Sequence, residues 1–228
     1  MVADRRSVDG YKLVGFGGKM ARYIGPVCRF CRTEGTKLYL KGDRCNTEKC
    51  SFDRRNYAPG MHGKALKGKA SEFKQQLREK QKVKRVYGLL EGQFRLTFKR
   101  AAVQRGVTSE LFFRALETRL DNVVYRMGFA RSRTEARQVV RHNHVLVNGK
   151  RLNIPSASVK VGDVVSIKPS SLQSPIFASA QELFARRSQL GWFQVDGAKY
   201  TGKVVAEPKR EDIQLPVTDR MIVEFYSK

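Results

Sequence analysis

Cys28 and Cys31 are separated by two residues, Cys31 and Cys45 by thirteen, and Cys45 and Cys50 by four. Two close pairs across a short loop supply what a tetrahedral thiolate site needs, two ligands from each turn. The chain has four cysteines in all, so the whole complement falls in this window. That clustering favours a metal over the disulfide framework of a secreted protein. The surrounding segment has few apolar residues, so a bound metal would stand in for a core. Nearby Arg29, Arg32, Lys37, Lys41, Arg44 and Lys49 favour the thiolate form. Zn2+ is the expected occupant, with a four-thiolate iron–sulfur cluster as the alternative and simple reduced thiols as the remainder. Four protein ligands leave no open position, so the expected role is structural. His62, between Gly60 and Gly63, is an outside candidate ligand. Thr36–Leu40 alternates weakly between Gly35 and Gly42, which predicts a short strand inside the knuckle.

A second set of residues is chemically suited to polyanions. Ser132-Arg133-Thr134-Glu135 reads as a capping box, with Ser132 accepting from the Glu135 amide and Glu135 reaching back. On the helix it opens, Arg133, Arg137 and Arg141 recur at i, i+4 and i+8, while Ala136, Val139 and Val140 supply the buried face. Val145–Val147 and Lys150–Leu152 flank Asn148-Gly149, the signature of a type I′ hairpin. Arg131, Ser132, Arg133, Arg137, Arg141, His144, Lys150 and Arg151 are the expected RNA-binding residues. Arginine forks fit phosphate oxygens, and a helix start offers amides to an anion. A solvated helix face beside an ordinary hairpin is the plain alternative. His142 and His144 have no Ser or Cys partner in a catalytic pattern.

Charge carries the same message over the whole length. The chain has 45 Lys and Arg against 21 Asp and Glu, a net +24 over 228 residues. Such a compact polycation repels itself, and a polyanionic partner offsets this. No apolar run approaches the ~18 residues of a membrane span. The amino terminus lacks a signal or transit pattern, so a cytoplasmic location is expected. An RNA-modifying enzyme would need a catalytic acid or base, and Asp121 and Asp163 are the isolated candidates. A metal-containing DNA regulator is the other rival class. No catalytic residue is assigned.

The elements that must position these groups give an α+β fold. Residues 1–19 are read as a flexible tail or a mis-assigned start, with Met20 as the natural first residue. Residues 20–63 form the four-cysteine knuckle and a basic loop, and 64–115 a helical domain. From Lys64 to Arg105 there are 13 Lys or Arg against three Glu, the densest basic stretch. Ser71 precedes a stripe of Phe73, Leu77, Val83, Val86, Tyr87 and Leu90. Phe94, Phe98 and Ala101 continue it. A further helix from Thr108 or Ser109 carries Leu111, Phe112 and Leu116, with Glu110, Arg114, Glu117 and Arg119 as its charged face. Residues 116–180 form a helix pair packed on a small antiparallel sheet. Residues 181–228 form a C-terminal segment, with a helix over 180–190 and a closing strand or packed tail at Met221–Tyr226.

The start Met20-Ala-Arg-Tyr, the four cysteines, Arg119-Leu-Asp-Asn-Val-Val-Tyr-Arg126, Val147-Asn-Gly-Lys150 and Ile222-Val-Glu-Phe-Tyr-Ser227 resemble the bacterial small-subunit ribosomal protein S-four family. The resemblance covers Met20 to Lys228, and it implies a helical domain with an N-terminal four-cysteine metal knuckle, closed by residues 181–228 packing on it, with the small antiparallel-sheet RNA-binding domain of residues 116–180 inserted. It implies a non-enzymatic, primary binder of small-subunit ribosomal RNA that docks early and helps nucleate assembly. It also implies contact with ribosomal protein S-five and other small-subunit proteins, support of translational accuracy, and a cytoplasmic, ribosomal location. Cys28, Cys31, Cys45 and Cys50 match the family's four-cysteine form.

Overall fold

The computed structural model describes residues 22–65, 68–177 and 190–227. The expectations for residues 1–19, for the Met20 start and for most of the 180–190 helix lie outside these residues. The chain builds a helical unit, leaves it to form a sheet unit, and returns. The first unit contains α1 (Cys28–Glu34), α2 (Ser51–Arg54), α3 (Glu72–Val86), α4 (Glu91–Val103) and α5 (Thr108–Glu117). It is completed by α8 (Asp219–Ser227), which packs on α3 and α5. The second unit holds α6 (Leu120–Arg126) and α7 (Arg133–Arg141). Its strands are β1 (Val145–Val147), β2 (Lys150–Arg151), β3 (Val164–Ile167), β4 (Phe193–Asp196) and β5 (Thr201–Val204). All pairings are antiparallel, in the order β2-β1-β3-β5-β4.

Local chemistry explains the element boundaries. Ser71 accepts from the Lys74 amide at 3.3 Å and starts α3. The β1–β2 turn places Asn148 at φ 50° and Gly149 at φ 76°, as a type I′ turn requires. Two apolar cores follow. The helical core joins Val83, Val86, Phe94, Phe98, Phe112, Phe113 and Leu116 to Ile213 and Ile222 of the returning chain. The sheet core joins Leu120, Val123, Val124, Met127 and Val139 to Val145, Val165, Ile167, Trp192 and Phe193. Gly202 of β5 lies against Met127, whose sulfur would be 2.7 Å from an added Cβ. An added side chain there would force the Met127 thioether to shift.

Several sequence expectations are corrected. The stretch Met221–Tyr226 is the body of helix α8, not a strand. Its Ile222 is buried while Tyr226 stacks on Phe98 at 4.6 Å, a spacing of one helical turn. Thr36–Leu40 forms no strand, because Tyr39 takes a left-handed conformation at φ 49°. The sheet reaches beyond the expected domain end at 180, since β4 and β5 belong to it. On α3 the interior positions are Gln76, Lys80, Val83 and Val86, while Phe73 is exposed. Gln76 is satisfied by Glu72 and Glu224 at 3.1 Å each, and Lys80 by Glu91 at 2.6 Å. Glu117 is not on a charged surface but is 1% exposed.

Candidate nucleic-acid interface

α7 delivers its arginines through the expected cap, with one shift. Ser132 Oγ accepts from the Glu135 amide at 3.2 Å, but the Glu135 carboxylate accepts from the Arg131 amide, at 2.5 Å, not from that of Ser132. Glu135 also pairs with the Arg131 guanidinium at 2.9 Å, holding that group more firmly charged. Arg131 and Ser132 therefore serve the helix start.

The cations that converge are Arg137, Arg141 and Arg22. Arg137 Nη1 donates to Asp121 Oδ2 at 3.0 Å. Asp121 already accepts from Arg119 at 3.1 and 2.9 Å. Burial lowers the Arg22 pKa, and the neighbouring Arg137 and Arg141 lower it further against the pull of Asp121. Asp121 thus bonds two guanidinium groups while Arg22 and Arg141 stand close to Arg137, and the excess positive charge attracts anions. Sequence reasoning did not assign Arg22 to the site. The available signal was its place directly before Tyr23 in the amino-terminal motif.

Arg22, Lys84, Arg85, Asp121, Arg133 and Arg137 line a cleft of about 320 Å³ between the two units. Arg133 lies in its wall, not out on the stripe with Arg141. Its Nε donates to Asn122 Oδ1 at 2.8 Å, and its guanidinium sits 4.5 Å from the Tyr125 ring centroid and 5.1 Å from that of Tyr87. His144 Nδ1 is 2.9 Å from Ser171 Oγ and the ring packs edge-on against Phe177. Burial lowers its pKa, with His142 and Lys168 adding to the effect. Lys150 and Arg151 are exposed on β2, the edge strand. Among the described residues no salt bridge engages Arg141, Lys150 or Arg151. The two acidic candidates for catalysis are occupied. Asp121 is held by two arginines, and Asp163 caps the β3 turn by accepting from Asn148 Nδ2 and the Lys160 amide, each at 2.8 Å.

Behind this face lies a buried polar joint. Glu117 Oε1 accepts from Tyr87 Oη at 2.5 Å and from Arg126 Nη2 at 2.7 Å; its Oε2 accepts from Arg126 Nε at 2.9 Å and Asn122 Nδ2 at 2.6 Å. Burial opposes the Glu117 charge, but Arg126 and then Arg133 and Tyr87 overcome it and hold the carboxyl below its ordinary range. Tyr87 belongs to the helical unit and Asn122, Arg126 and Arg133 to the sheet unit.

In the segment that carries the four cysteines, Cys31, Cys45 and Cys50 are buried and Cys28 is partly so. Burial raises the Cys31 thiol pKa, and Cys45, Cys28 and Cys50 each raise it further. Cys45 responds to burial in the same way, and its sulfur accepts from the Lys41 amide at 3.4 Å. Burial and the neighbouring sulfurs disfavour the thiolate form, while the Lys41 N–H is a donor that a thiolate at Cys45 can use. Among the described residues, however, no three His, Cys, Asp or Glu side chains are arranged to hold an ion. His62 sits in a separate short 3-10 helix, Met61–Lys64. Helix α1 is tied to α3 by Glu34, which accepts from Arg78 at 2.6 Å and from Arg85.

Similarity to known proteins agrees with this two-unit layout. The family model described as the ribosomal protein S4/S9 N-terminal domain matches residues 22–117, and that of the S4 domain matches residues 118–165. Proteins named small ribosomal subunit protein uS4 align over 209 residues, 92% of this chain and the full length of each relative. Those of Solidesulfovibrio magneticus and Heliobacterium modesticaldum are 56% identical and that of Acetivibrio thermocellus 57%. At that identity and coverage, the chain belongs to the uS4 family of small ribosomal subunit proteins.

Proposed function

We propose that the protein is a structural constituent of the small ribosomal subunit that binds its ribosomal RNA and catalyses nothing. The gathering of Arg22, Arg137 and Arg141, of which Arg137 bonds the Asp121 carboxylate, carries this reading. Each arginine neutralises phosphate and releases counterions, which supplies most of the affinity. Lys150 and Arg151 on the hairpin edge extend the contact along the RNA, and the two rigid units read its shape.

Primary binding, early docking that nucleates assembly, and contact with ribosomal protein S-five in support of accuracy follow from the family membership as further parts of the proposal. So does a cytoplasmic, ribosome-bound location. No described helix is long and apolar enough to cross a membrane. Cys28, Cys31, Cys45 and Cys50 would hold Zn2+, or alternatively an iron–sulfur cluster. When bound, it supplies a cross-link in a segment with little core of its own. Glu34 of α1 then holds that helix on α3 through Arg78 and Arg85 of α3.

The test is cosedimentation. Tagged protein expressed in cells should travel with small-subunit particles in sucrose gradients and retain their RNA after purification. Protein found only at the top of the gradient, without that RNA, would end the proposal.

A further inference from the structure

We infer that Arg133 is a positioning residue, a wedge that sets the angle between the helical unit and the RNA-binding unit, and is not itself a phosphate contact. The inference rests on the RNA-binding reading above but concerns a different task. Arg133 stands at the first turn of α7, yet its guanidinium is placed between the rings of Tyr125, on its own unit, and Tyr87, on the other. Its Nε is committed to Asn122 Oδ1. The Asn122 amide group in turn donates to both the backbone and the carboxylate of Glu117, at 3.0 and 2.6 Å. Glu117 takes the Tyr87 hydroxyl. The path therefore closes on itself: Arg133, Asn122, Glu117 and Tyr87 form one ring of contacts across the inter-unit boundary.

Two further observations point the same way. Arg133 lines both the 320 Å³ cleft and a second cavity of about 660 Å³, so it forms part of the wall between them. Arg137 and Arg141, one and two turns further along α7, face Arg22 from the amino-terminal segment. Those cations meet only while the units keep their present relation. A planar, forked side chain suits the role, because it stacks on two rings while donating in its plane. Lysine keeps the charge and loses both properties.

The experiment compares Arg133→Lys, Arg133→Ala and Arg137→Ala in the full chain. Affinity for a small-subunit ribosomal RNA fragment is measured against salt. Inter-unit distances in the RNA-free protein are measured between spin labels carried by unnatural residues at Lys99 and Lys150. Far-ultraviolet circular dichroism establishes that each variant is folded. Both Arg133 variants are expected to broaden the distance distribution without RNA. Both should weaken binding about tenfold, the result if loosening leaves about a tenth of molecules in the competent arrangement. Their salt slopes should match the wild type, whereas Arg137→Ala should lower the slope by about 0.7–0.9. If Arg133→Lys binds like the wild type while Arg133→Ala loses slope, Arg133 is a phosphate contact and the inference fails. An unchanged distance distribution in both Arg133 variants also overturns it. The distance measurement needs no RNA, so failure of the RNA-binding reading is told apart from failure of this one.

Discussion

Replacing Glu117 with alanine should be among the most damaging single substitutions in the molecule. The carboxylate is 1% exposed and accepts four donors between 2.5 and 2.9 Å, from Tyr87, Asn122 and twice from Arg126. Its loss leaves Arg126, with a side chain only 15% exposed, without its counter-ion. Breaking a buried pair from one side costs about 3–5 kcal/mol, because the stranded charge keeps its desolvation penalty. The Tyr87 hydroxyl is stranded as well, but that loss belongs to the same network and does not simply add. For a protein of this size each kcal/mol lowers Tm by about 2–4 °C, so a fall of roughly 6–20 °C is expected. Urea unfolding of the free protein measures the change directly. The double variant Glu117→Leu, Arg126→Met should recover a large part of the loss, since it removes the stranded charge together with its partner. A loss below about 1 kcal/mol for Glu117→Ala, or a double variant less stable than the single, would refute the reasoning.

Acid should weaken the packing of α8 and α4 on α3. Glu91 is held at about 2 instead of 4.5; burial raises it, but hydrogen bonds from Lys80 and Lys84 outweigh that. A depressed carboxylate stabilises the fold above its unfolded pKa and loses that contribution as pH falls from about 4.5 towards 2. Glu91→Gln should flatten the stability profile in that window, by a modest amount because the side chain is 46% exposed. Gly63→Ala should misfold the basic loop, since an added Cβ would lie 1.9 Å from the Ala58 carbonyl oxygen; limited proteolysis should cut there sooner than in the wild type. Elemental analysis of anaerobically purified protein should find about one zinc per chain, falling on Cys31→Ser, and iron with its colour would replace zinc in the account.

What the sequence disclosed tracks how local each cause is. The Asn148-Gly149 turn and the Ser132 cap were legible, because dihedral demands and unpaired amides act within four residues. Helix α8 was hidden by Ile222-Val223, a β-branched pair that looks like a strand when the packing partner on α3 is out of sight. Strands β4 and β5 were missed although Asp196-Gly197 marks their turn, where Asp196 accepts from the Ala198 and Lys199 amides at 3.1 and 3.2 Å. Glu117 looked like a surface residue because the fold, not its own helix, buries it beside Tyr87 and Arg126, and the interior place of Gln76 was hidden because it meets Glu224, 148 positions away. The cationic character of the site was legible in composition. The division of labour within it was not, since Arg131 and Arg133 differ from Arg137 and Arg141 only in which partners the fold brings to them.

The central claim, that guanidinium groups on two folded units grip a shaped polyphosphate without altering it, is tested most directly by one titration. Wild-type protein and the Arg137→Glu, Arg141→Glu variant are titrated with folded small-subunit ribosomal RNA over a range of salt, with duplex DNA of equal length as competitor. The account predicts tighter binding to the RNA than to the duplex, RNA recovered chemically intact, and a smaller salt slope for the variant. Equal affinity for the duplex, or an unchanged slope, would contradict it.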